Sequence, residues 1–285
     1  MKKITPSING LYIVSTPIGN MEDITYRAVK ILSKVDLIAA EDTRNTKKII
    51  QYYNIDKPII SCHEHNEKQR TIEIIKKLKQ NHSIAFVSDA GTPLISDPGY
   101  YLVSKCIEEK IPVIPIPGAS ASITALTVAG MPTDRFFFNG FISRKKNKRE
   151  KELMQIAQYN SSLIFYESPK RIINLLEDIL NIMGDRNCFL AREMTKKFEE
   201  YFYGNISEII KKLSLKKAIK GEFTLVVAGF TEKKNITDDF LEKKIIELKQ
   251  NNKLSVSDIV KKITQDFQIP RKIVYKKALE LKSNT

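Results

Sequence analysis

Residue types that can bind a ligand or take part in catalysis directly follow several predicted strands. The apolar run Ile84–Val87 is typical of a buried strand, and Asp89 follows it at the start of a turn-forming segment. Gly91 permits backbone angles closed to other residues, Thr92 supplies a hydroxyl, and Pro93 stiffens the loop. Ligands of open α/β sheets bind at this carboxyl edge, so the loop is a candidate site for a polar small molecule. Taken alone, an Asp that caps a tight turn explains the segment equally well.

Two further predicted strands end in acidic and basic residues. The strand at 36–40 runs into Glu41-Asp42-Thr43-Arg44, and the strand at 163–166 runs into Glu167-Ser168-Pro169-Lys170-Arg171. Carboxylates accept protons, and cations stabilise developing negative charge. Both junctions are therefore candidate catalytic sites.

Two histidines raise the question of a metal. His63 and His65 follow the predicted strand at 59–62, and residues two apart on an extended segment share a face. The sequence places no third ligand beside them, and the three cysteines lie far apart. A polar loop is favoured, and no metal site is predicted.

Alternating strands and helices must position these residues. Strands are predicted at 11–15, 36–40, 59–62, 84–87, 111–116, 135–140, 163–166, 189–193, 199–203 and 223–227. Helical periods follow the early strands, which predicts an α/β domain over 1–116 with a largely parallel, doubly wound sheet. A second α/β domain is predicted over 117–232. After a linker at 231–235, residues 236–285 are predicted to form three helices, about 238–250, 256–266 and 271–282, as a helix-turn-helix-like module or a small docked bundle.

Composition narrows the class of protein. A length of 285 residues suits two domains and an appendage, and 42% hydrophobic residues exclude a disordered chain. There is no run of about 18 apolar residues and no export leader, which predicts a soluble cytoplasmic protein without a membrane partner. The absence of Gly-x-Gly-x-x-Gly and Walker patterns disfavours nicotinamide and nucleoside triphosphate cofactors.

A formal net charge of +14 favours a polyanionic partner, although lysine excess also arises from compositional bias. A charge run is usually a solvated face, but the densest basic run follows the predicted strand at 135–140. A loop that guides phosphates is therefore favoured there. The candidate RNA-binding residues are Arg144, Lys145, Lys146, Lys148 and Arg149, with Arg271 and Lys272 in the last helix.

Several short segments between residues 11 and 229 point to one family when taken together. They are Thr16-Pro-Ile-Gly-Asn20, Ala40-Glu-Asp-Thr-Arg44, His63-Glu-His-Asn-Glu67, Val87-Ser-Asp-Ala-Gly-Thr-Pro-Leu-Ile95, Asp97-Pro-Gly99, Pro117-Gly-Ala119, Phe165-Tyr-Glu-Ser-Pro169, Ala191-Arg-Glu-Met-Thr-Lys196 and Gly221-Glu-Phe223. The chain thus resembles the ribosomal RNA small subunit methyltransferase I family, the RNA-directed branch of the tetrapyrrole methylase superfamily. The porphyrin-directed branch tends to carry a Gly-Asp-Pro turn where this chain has Asp89-Ala-Gly-Thr-Pro93, which favours RNA over a tetrapyrrole.

The resemblance implies an α/β protein of two α/β/α domains with mostly parallel sheets, plus the small C-terminal helical module. It implies a homodimer that binds S-adenosylmethionine between the domains. The reaction would methylate the ribose 2′-hydroxyl of a cytidine in the decoding region of 16S ribosomal RNA, free or in the small ribosomal subunit. By motif position, the residues expected to contact the cofactor are Pro17, Asp89, Gly91, Thr92, Pro93, Leu94, Ile95, Ser120, Ala121, Tyr166 and Phe223.

Such a reaction needs the hydroxyl oxygen in line with the methyl group and the sulfur, and it needs removal of the hydroxyl proton. Asp42 and Glu167 are the predicted proton acceptors, and Arg44 is the predicted stabilising cation. Further candidates are Glu193, Lys170 and Lys196, of which Glu193 and Lys196 are equally explained as a structural ion pair.

Two other functions stay open. A methylase of a tetrapyrrole or other small molecule shares the fold, but its activity should lack the steep salt dependence of RNA binding. A non-catalytic RNA-binding protein keeps the charge, but it takes up no S-adenosylmethionine.

Overall fold

A computed structural model of the chain describes residues 9–231, 238–251, 254–267 and 271–283. Contacts divide the chain into two units, Met1–Phe230 and Thr231–Thr285. The first unit holds two sheets, one on each side of the predicted boundary between residues 116 and 117. Their division into separate domains stays a prediction. Most of the predicted linker, residues 232–235, lies outside the described residues.

Short apolar runs form the first sheet. Its strands are β1 (Leu11–Val14), β2 (Leu37–Ala40), β3 (Ile59–Ser61), β4 (Ile84–Val87) and β5 (Val113–Ile116), in the order β3-β2-β4-β1-β5. All of its pairings are parallel, which requires crossover connections. These are helices α1 (Tyr26–Leu32), α2 (Thr43–Tyr52), α3 (Glu67–Lys79) and α4 (Tyr100–Glu108). The predicted doubly wound parallel sheet is confirmed.

Strand β4 is covered on both faces, which fixes the position of the loop that follows it. Ala85 and Val87 pack in a core with α1 and α2, whereas Ile84 and Phe86 pack in a core with α3 and α4. Phe86 is fully buried, and truncation of such a ring to alanine typically costs about 3–5 kcal/mol of stability. The strand end that carries Asp89 is therefore held rigidly from two sides.

Residues 21–35 carry apolar residues at a helical period, which predicts one helix, but the structure interrupts it. A 3-10 turn covers Met21–Asp23, and α1 begins only after Thr25. The Thr25 hydroxyl accepts a hydrogen bond from the Ala28 N–H at 3.1 Å. This N-cap starts a new helix in place of the continuous one.

The second sheet is mixed. Its strands are β6 (Phe136–Phe141), β7 (Ser162–Glu167), β8 (Asn187–Arg192), β9 (Glu200–Asn205) and β10 (Phe223–Val227), in the order β6-β7-β10-β8-β9. Only the β6 and β7 pair is parallel within it, so parallel pairings predominate over the two sheets together. Its helices are α5 (Ala121–Val128), α6 (Lys146–Ile156), α7 (Ile172–Met183) and α8 (Ile206–Ser214).

The C-terminal unit contains three helices in its described part. They are α9 (Asp238–Asn251), α10 (Val256–Phe267) and α11 (Arg271–Ser283), which begin where predicted and pack around their own apolar core. The Ser255 hydroxyl accepts a hydrogen bond from the Asp258 N–H at 3.2 Å, which caps the start of α10. Nowhere in the described chain does a helix combine the length and the apolar composition needed to cross a membrane.

Candidate active site

A cavity of about 400 Å³ lies in the first unit, where strand ends of both sheets meet. Its size falls in the range of small-molecule sites. The first sheet contributes the loop after β4 and the end of β2. The second contributes the ends of β7 and β8 and the start of β10, which is antiparallel to both. Most of the predicted cofactor residues line it, namely Asp89, Gly91, Thr92, Ile95, Ser120, Ala121, Tyr166 and Phe223.

Three predicted cofactor residues are absent from the cavity wall. Pro17 and Pro93 are buried, and Leu94 packs against the core shared with α3 and α4. Leu94 has a φ of 71°, in the left-handed region, which turns its side chain inward. These residues shape the loop from behind rather than facing a ligand.

The loop after β4 is fixed by hydrogen bonds to two other segments. Thr16 and Gly91 exchange backbone hydrogen bonds of 2.8 and 3.1 Å. The Thr92 hydroxyl donates to the Ala119 carbonyl at 3.0 Å and accepts from the Ser15 hydroxyl at 3.1 Å. Gly91 has a φ of 78°, and a Cβ there would lie 3.2 Å from Ile18. The loop therefore requires glycine at this position, as the sequence predicts.

An aromatic group closes the cavity from the second sheet. The Tyr166 hydroxyl accepts a hydrogen bond from the Ser122 N–H at 3.0 Å, which joins β7 to the first turn of α5. Phe138 and Phe141 contact the Tyr166 ring edge-on, with centroids 5.1 and 5.7 Å away. Burial raises the pKa of Tyr166, so the phenol stays neutral at physiological pH. Its ring can face a cation.

The cavity wall is acidic although the chain is basic. Its charged residues are the carboxylates Glu41, Asp89, Asp97, Glu167 and Glu222 and a single lysine, Lys196. Burial raises the pKa of Glu41, and it raises the pKa of Asp97 to about 6. Such a wall favours a ligand that carries positive charge or hydrogen-bond donors.

The predicted pair Asp42 and Arg44 lies beside the cavity and not in its wall. Asp42 caps α2 by accepting from the Arg44 N–H at 2.8 Å, and its other oxygen binds the Arg44 guanidinium at 2.6 Å. These hydrogen bonds lower the pKa of Asp42 to about 2. Its backbone N–H donates to Asp89 at 3.0 Å. A carboxylate so stabilised is a weak proton acceptor. The catalytic role of Asp42 stays a prediction, and its low pKa argues against that role.

Glu167 lines the cavity, but its carboxylate is already engaged. It accepts from Arg171 at 2.6 Å and from the Ser168 N–H at 2.6 Å, and its side chain is only 1% exposed. A buried carboxylate paired in this way is held as a structural anion. The role of Glu167 as a proton acceptor stays a prediction, and the contacts with Arg171 and Ser168 argue against it because they occupy the carboxylate.

Lys196 lies between two carboxylates at the cavity wall. Its ammonium donates to Glu193 at 3.0 Å and to Glu222 at 2.8 Å. Burial disfavours the charge on Glu193, but hydrogen bonds from the Glu222 N–H and from Lys196 outweigh burial and lower its pKa. The ion pair anticipated between Glu193 and Lys196 is present, and Lys170 is exposed outside the wall.

The basic run after β6 is mostly helical. Arg144, Lys145, Lys146 and Lys148 are exposed around the start of α6. Arg149 is buried, and its Nε donates to Asp178 of α7 at 2.6 Å while its Nη1 donates to the Arg144 carbonyl at 3.2 Å. A buried guanidinium needs such partners. This corrects both the predicted loop and the RNA-binding role of Arg149, which instead joins α6 to α7.

In the C-terminal unit, Arg271 and Lys272 are exposed at the start of α11. With Tyr275 and Val256 they line a shallow surface groove. Both residues are accessible to a phosphate backbone.

Sequence reasoning missed three carboxylates of the wall. Glu41 directly follows β2 and Glu222 directly precedes β10, and these positions next to strands were a usable signal. Asp97 lies ten residues beyond β4 in the loop before α4, so no such signal marks it. No cluster of three or more metal-ligating side chains occurs within the described ranges, and the His63 and His65 rings lie 6.0 Å apart.

Comparisons with known proteins agree with this arrangement. The family model of tetrapyrrole (corrin/porphyrin) methylases matches residues 10–210. The ribosomal RNA small subunit methyltransferase I of Synechocystis sp. is 43% identical over 277 residues, which covers 96% of this chain and 99% of that protein. The protein of the same name from Thermotoga maritima is 50% identical over 219 residues, which covers 77% of this chain and 98% of that protein.

One solved structure shows the same fold. It is the uroporphyrin-III C-methyltransferase of Thermus thermophilus complexed with S-adenosylhomocysteine, with a TM-score of 0.55 and 13% sequence identity. The similarity covers 76% of this chain and 96% of that one. The predicted α/β fold is confirmed in its two sheets, whose pairings taken together are mostly parallel, and in its C-terminal helices.

Proposed function

Because the chain belongs to the ribosomal RNA small subunit methyltransferase I family, within the tetrapyrrole methylases, we propose that it methylates ribosomal RNA. It transfers the methyl group of S-adenosylmethionine to the ribose 2′-hydroxyl of a cytidine in the decoding region of 16S ribosomal RNA. The observation that carries the proposal is the acidic cavity at the strand ends of both sheets, set in a chain with a net charge of +14.

The residues of the cavity fit S-adenosylmethionine. This cofactor carries a sulfonium and an ammonium, and the wall offers five carboxylates against one lysine. Gly91 allows close approach to the loop, and the Tyr166 ring suits a sulfonium. Asp89, Gly91, Ala121 and Tyr166 would hold the cofactor, which supplies an electrophilic methyl group when bound. The related fold of the Thermus enzyme, solved with S-adenosylhomocysteine, supports this assignment.

The protein's own residues orient the reactants and balance charge. The rigid loop after β4 and the bond between Tyr166 and Ser122 fix the cavity walls, and fixed geometry makes the largest contribution to a displacement. An ammonium has three N–H donors, and within the described chain Lys196 uses two of them on carboxylates. The third can stabilise negative charge that develops on the ribose oxygen.

Exposed cations outside the cavity bind the RNA backbone in this proposal. They are Arg144, Lys145, Lys146 and Lys148 around the start of α6, and Arg271 and Lys272 on α11. Contacts of this kind attract and position a polyanion without reading its sequence. The affinity for the ribosomal subunit should fall steeply with salt.

The proposal includes a cytoplasmic homodimer. Helix α5 exposes apolar side chains, among them Ile123 and Val128, and the exposed Tyr203 of β9 donates to the Val128 carbonyl at 3.1 Å. Contiguous exposed apolar residues often mark a protein interface. Light scattering on the purified protein tests this, and a monomer at micromolar concentration would contradict it.

Nucleoside analysis tests the function. Purified protein is incubated with methyl-labelled S-adenosylmethionine and small ribosomal subunits from cells that lack it, and the RNA is digested for mass spectrometry. The expected labelled product is 2′-O-methylcytidine. A base-methylated nucleoside would contradict the proposal. Label on a tetrapyrrole would indicate a small-molecule methylase, and no uptake of the cofactor in calorimetry would indicate a non-catalytic RNA-binding protein.

A further inference from the structure

The carboxylates predicted from sequence to accept the ribose proton are both held by arginines. Asp42 binds Arg44 at 2.6 Å, and Glu167 binds Arg171 at 2.6 Å. Charge-assisted hydrogen bonds of this kind occupy the carboxylate oxygens, and at Asp42 they lower the pKa to about 2. Methyl transfer to a hydroxyl still requires a proton acceptor within reach of the cavity.

We propose that Asp97 is this acceptor, an inference that rests on the proposed function. The ribose 2′-oxygen forms the new bond to the methyl carbon while the carbon–sulfur bond breaks and leaves its electron pair on sulfur. The hydroxyl proton moves to a carboxylate oxygen of Asp97, from which it passes to water after the reaction. Each bond and charge is balanced without a further reactant.

Asp97 is placed in the cavity wall by a constrained loop. Leu94 and Ser96 both have positive φ values, 71° and 67°, and Gly99 follows with a φ of 120°. Leu94 is packed in the core and anchors the turn. Backbone strain of this kind persists where the surrounding structure holds it, and it is frequent at functional sites. The loop thus holds the Asp97 carboxyl at the cavity in a defined position.

Within the described part of the chain, the groups that act on Asp97 come from three strands and are neutral or acidic. Lys196 lines the same cavity but is not among them. The charges that act on it are those of Glu41 after β2 and Asp89 after β4, and the Ser88 side chain at the end of β4 opposes their effect on its pKa. The Tyr166 phenol of β7 lies within its electrostatic reach. Burial, followed by these acidic neighbours, raises the pKa of Asp97 to about 6. A base whose pKa lies near the working pH combines ionisation with proton affinity.

Single-turnover methylation of small ribosomal subunits tests the inference across pH 5 to 9. We expect Asp97→Asn to lower the rate by about 100-fold or more, the usual contribution of a general base. Calorimetry should give an S-adenosylmethionine Kd within about threefold of the wild-type value, because the substitution keeps the shape of the wall. The wild-type rate should fall below about pH 6, and the residual rate of Asp97→Asn should lack this acidic limb.

Two other variants control for position and charge. Glu41→Gln changes the second wall carboxyl with a raised pKa, and it should retain the acidic limb. Glu108→Gln changes an exposed carboxylate of α4 and should leave rate and profile unchanged. The inference is overturned if Asp97→Asn keeps the wild-type rate or the acidic limb, or if its main effect is a large rise in the cofactor Kd. Failure of the proposed function is a different result, in which the wild-type protein itself methylates no ribosomal RNA.

Discussion

Replacement of Arg149 by methionine should destabilise the protein rather than weaken its RNA binding. The side chains of Arg149 and Asp178 are only 7% and 8% exposed, and they are joined at 2.6 Å. Removal of one partner of a buried pair leaves an uncompensated charge, which costs about 3–5 kcal/mol of unfolding free energy. In a unit of this size, each kcal/mol shifts Tm by about 2–4 °C, so the expected decrease is roughly 6–20 °C. Calorimetric unfolding of the full chain measures it.

Two controls separate stability from RNA binding. The double variant Arg149→Met with Asp178→Leu removes both charges and should recover most of the lost stability. Lys148→Met changes the exposed neighbour, so it should alter stability by less than about 0.5 kcal/mol. It should lower ribosome affinity and reduce the salt slope by about 1. The reasoning is refuted if Arg149→Met keeps its Tm and instead loses affinity as Lys148→Met does.

Gly91→Val should raise the S-adenosylmethionine Kd in calorimetry at least about tenfold, because a β-branched residue is strained at a φ of 78°; an unchanged Kd would contradict the need for glycine. Tyr166→Phe leaves the Ser122 N–H without its acceptor and should cost about 1–3 kcal/mol in urea unfolding, whereas no loss would show that the bond is unimportant. Deletion of residues 231–285 should keep the cofactor Kd and weaken salt-dependent ribosome binding; equal ribosome affinity would favour a purely structural module. Asp97→Asn should raise the free energy of unfolding at pH 7 by about 1–2 kcal/mol, a figure reduced to allow for the partial exposure of Asp97. In the folded wild-type protein the pKa of Asp97 is about 6, above the usual 3.8, so the ionised carboxylate disfavours folding at this pH. That gain appears as the pH rises from about 4 to 6 and is absent below both values, so destabilisation at pH 7 would contradict the burial argument.

The first sheet could be predicted because its strands are continuous apolar runs. Ile84–Val87 is buried on both faces, so its continuous apolar run predicts a strand without information on the segments that pack against it. The second sheet is harder, since residues 193–199 connect β8 to β9 without a crossover helix and make that pair antiparallel. The interruption at Thr25 depends on one side-chain hydrogen bond, which hydrophobic periodicity does not report.

The cavity wall could be predicted in part, because strand ends of a parallel sheet meet at one edge. Asp89, Ala121 and Tyr166 line one cavity although they are distant in sequence. The positions of strand ends do not show which charged groups are paired or which have a shifted pKa. Arg149 depends on a partner in another helix, and the raised pKa of Asp97 depends on burial and acidic neighbours from other strands. Such effects arise only after tertiary packing.

A crystal structure of the protein with S-adenosylhomocysteine would show directly where the cofactor binds. We expect ligand density in the cavity at the strand ends, in contact with Asp89, Ala121 and Tyr166 and next to Asp97. Density at any other surface, with that cavity left to solvent, would contradict it.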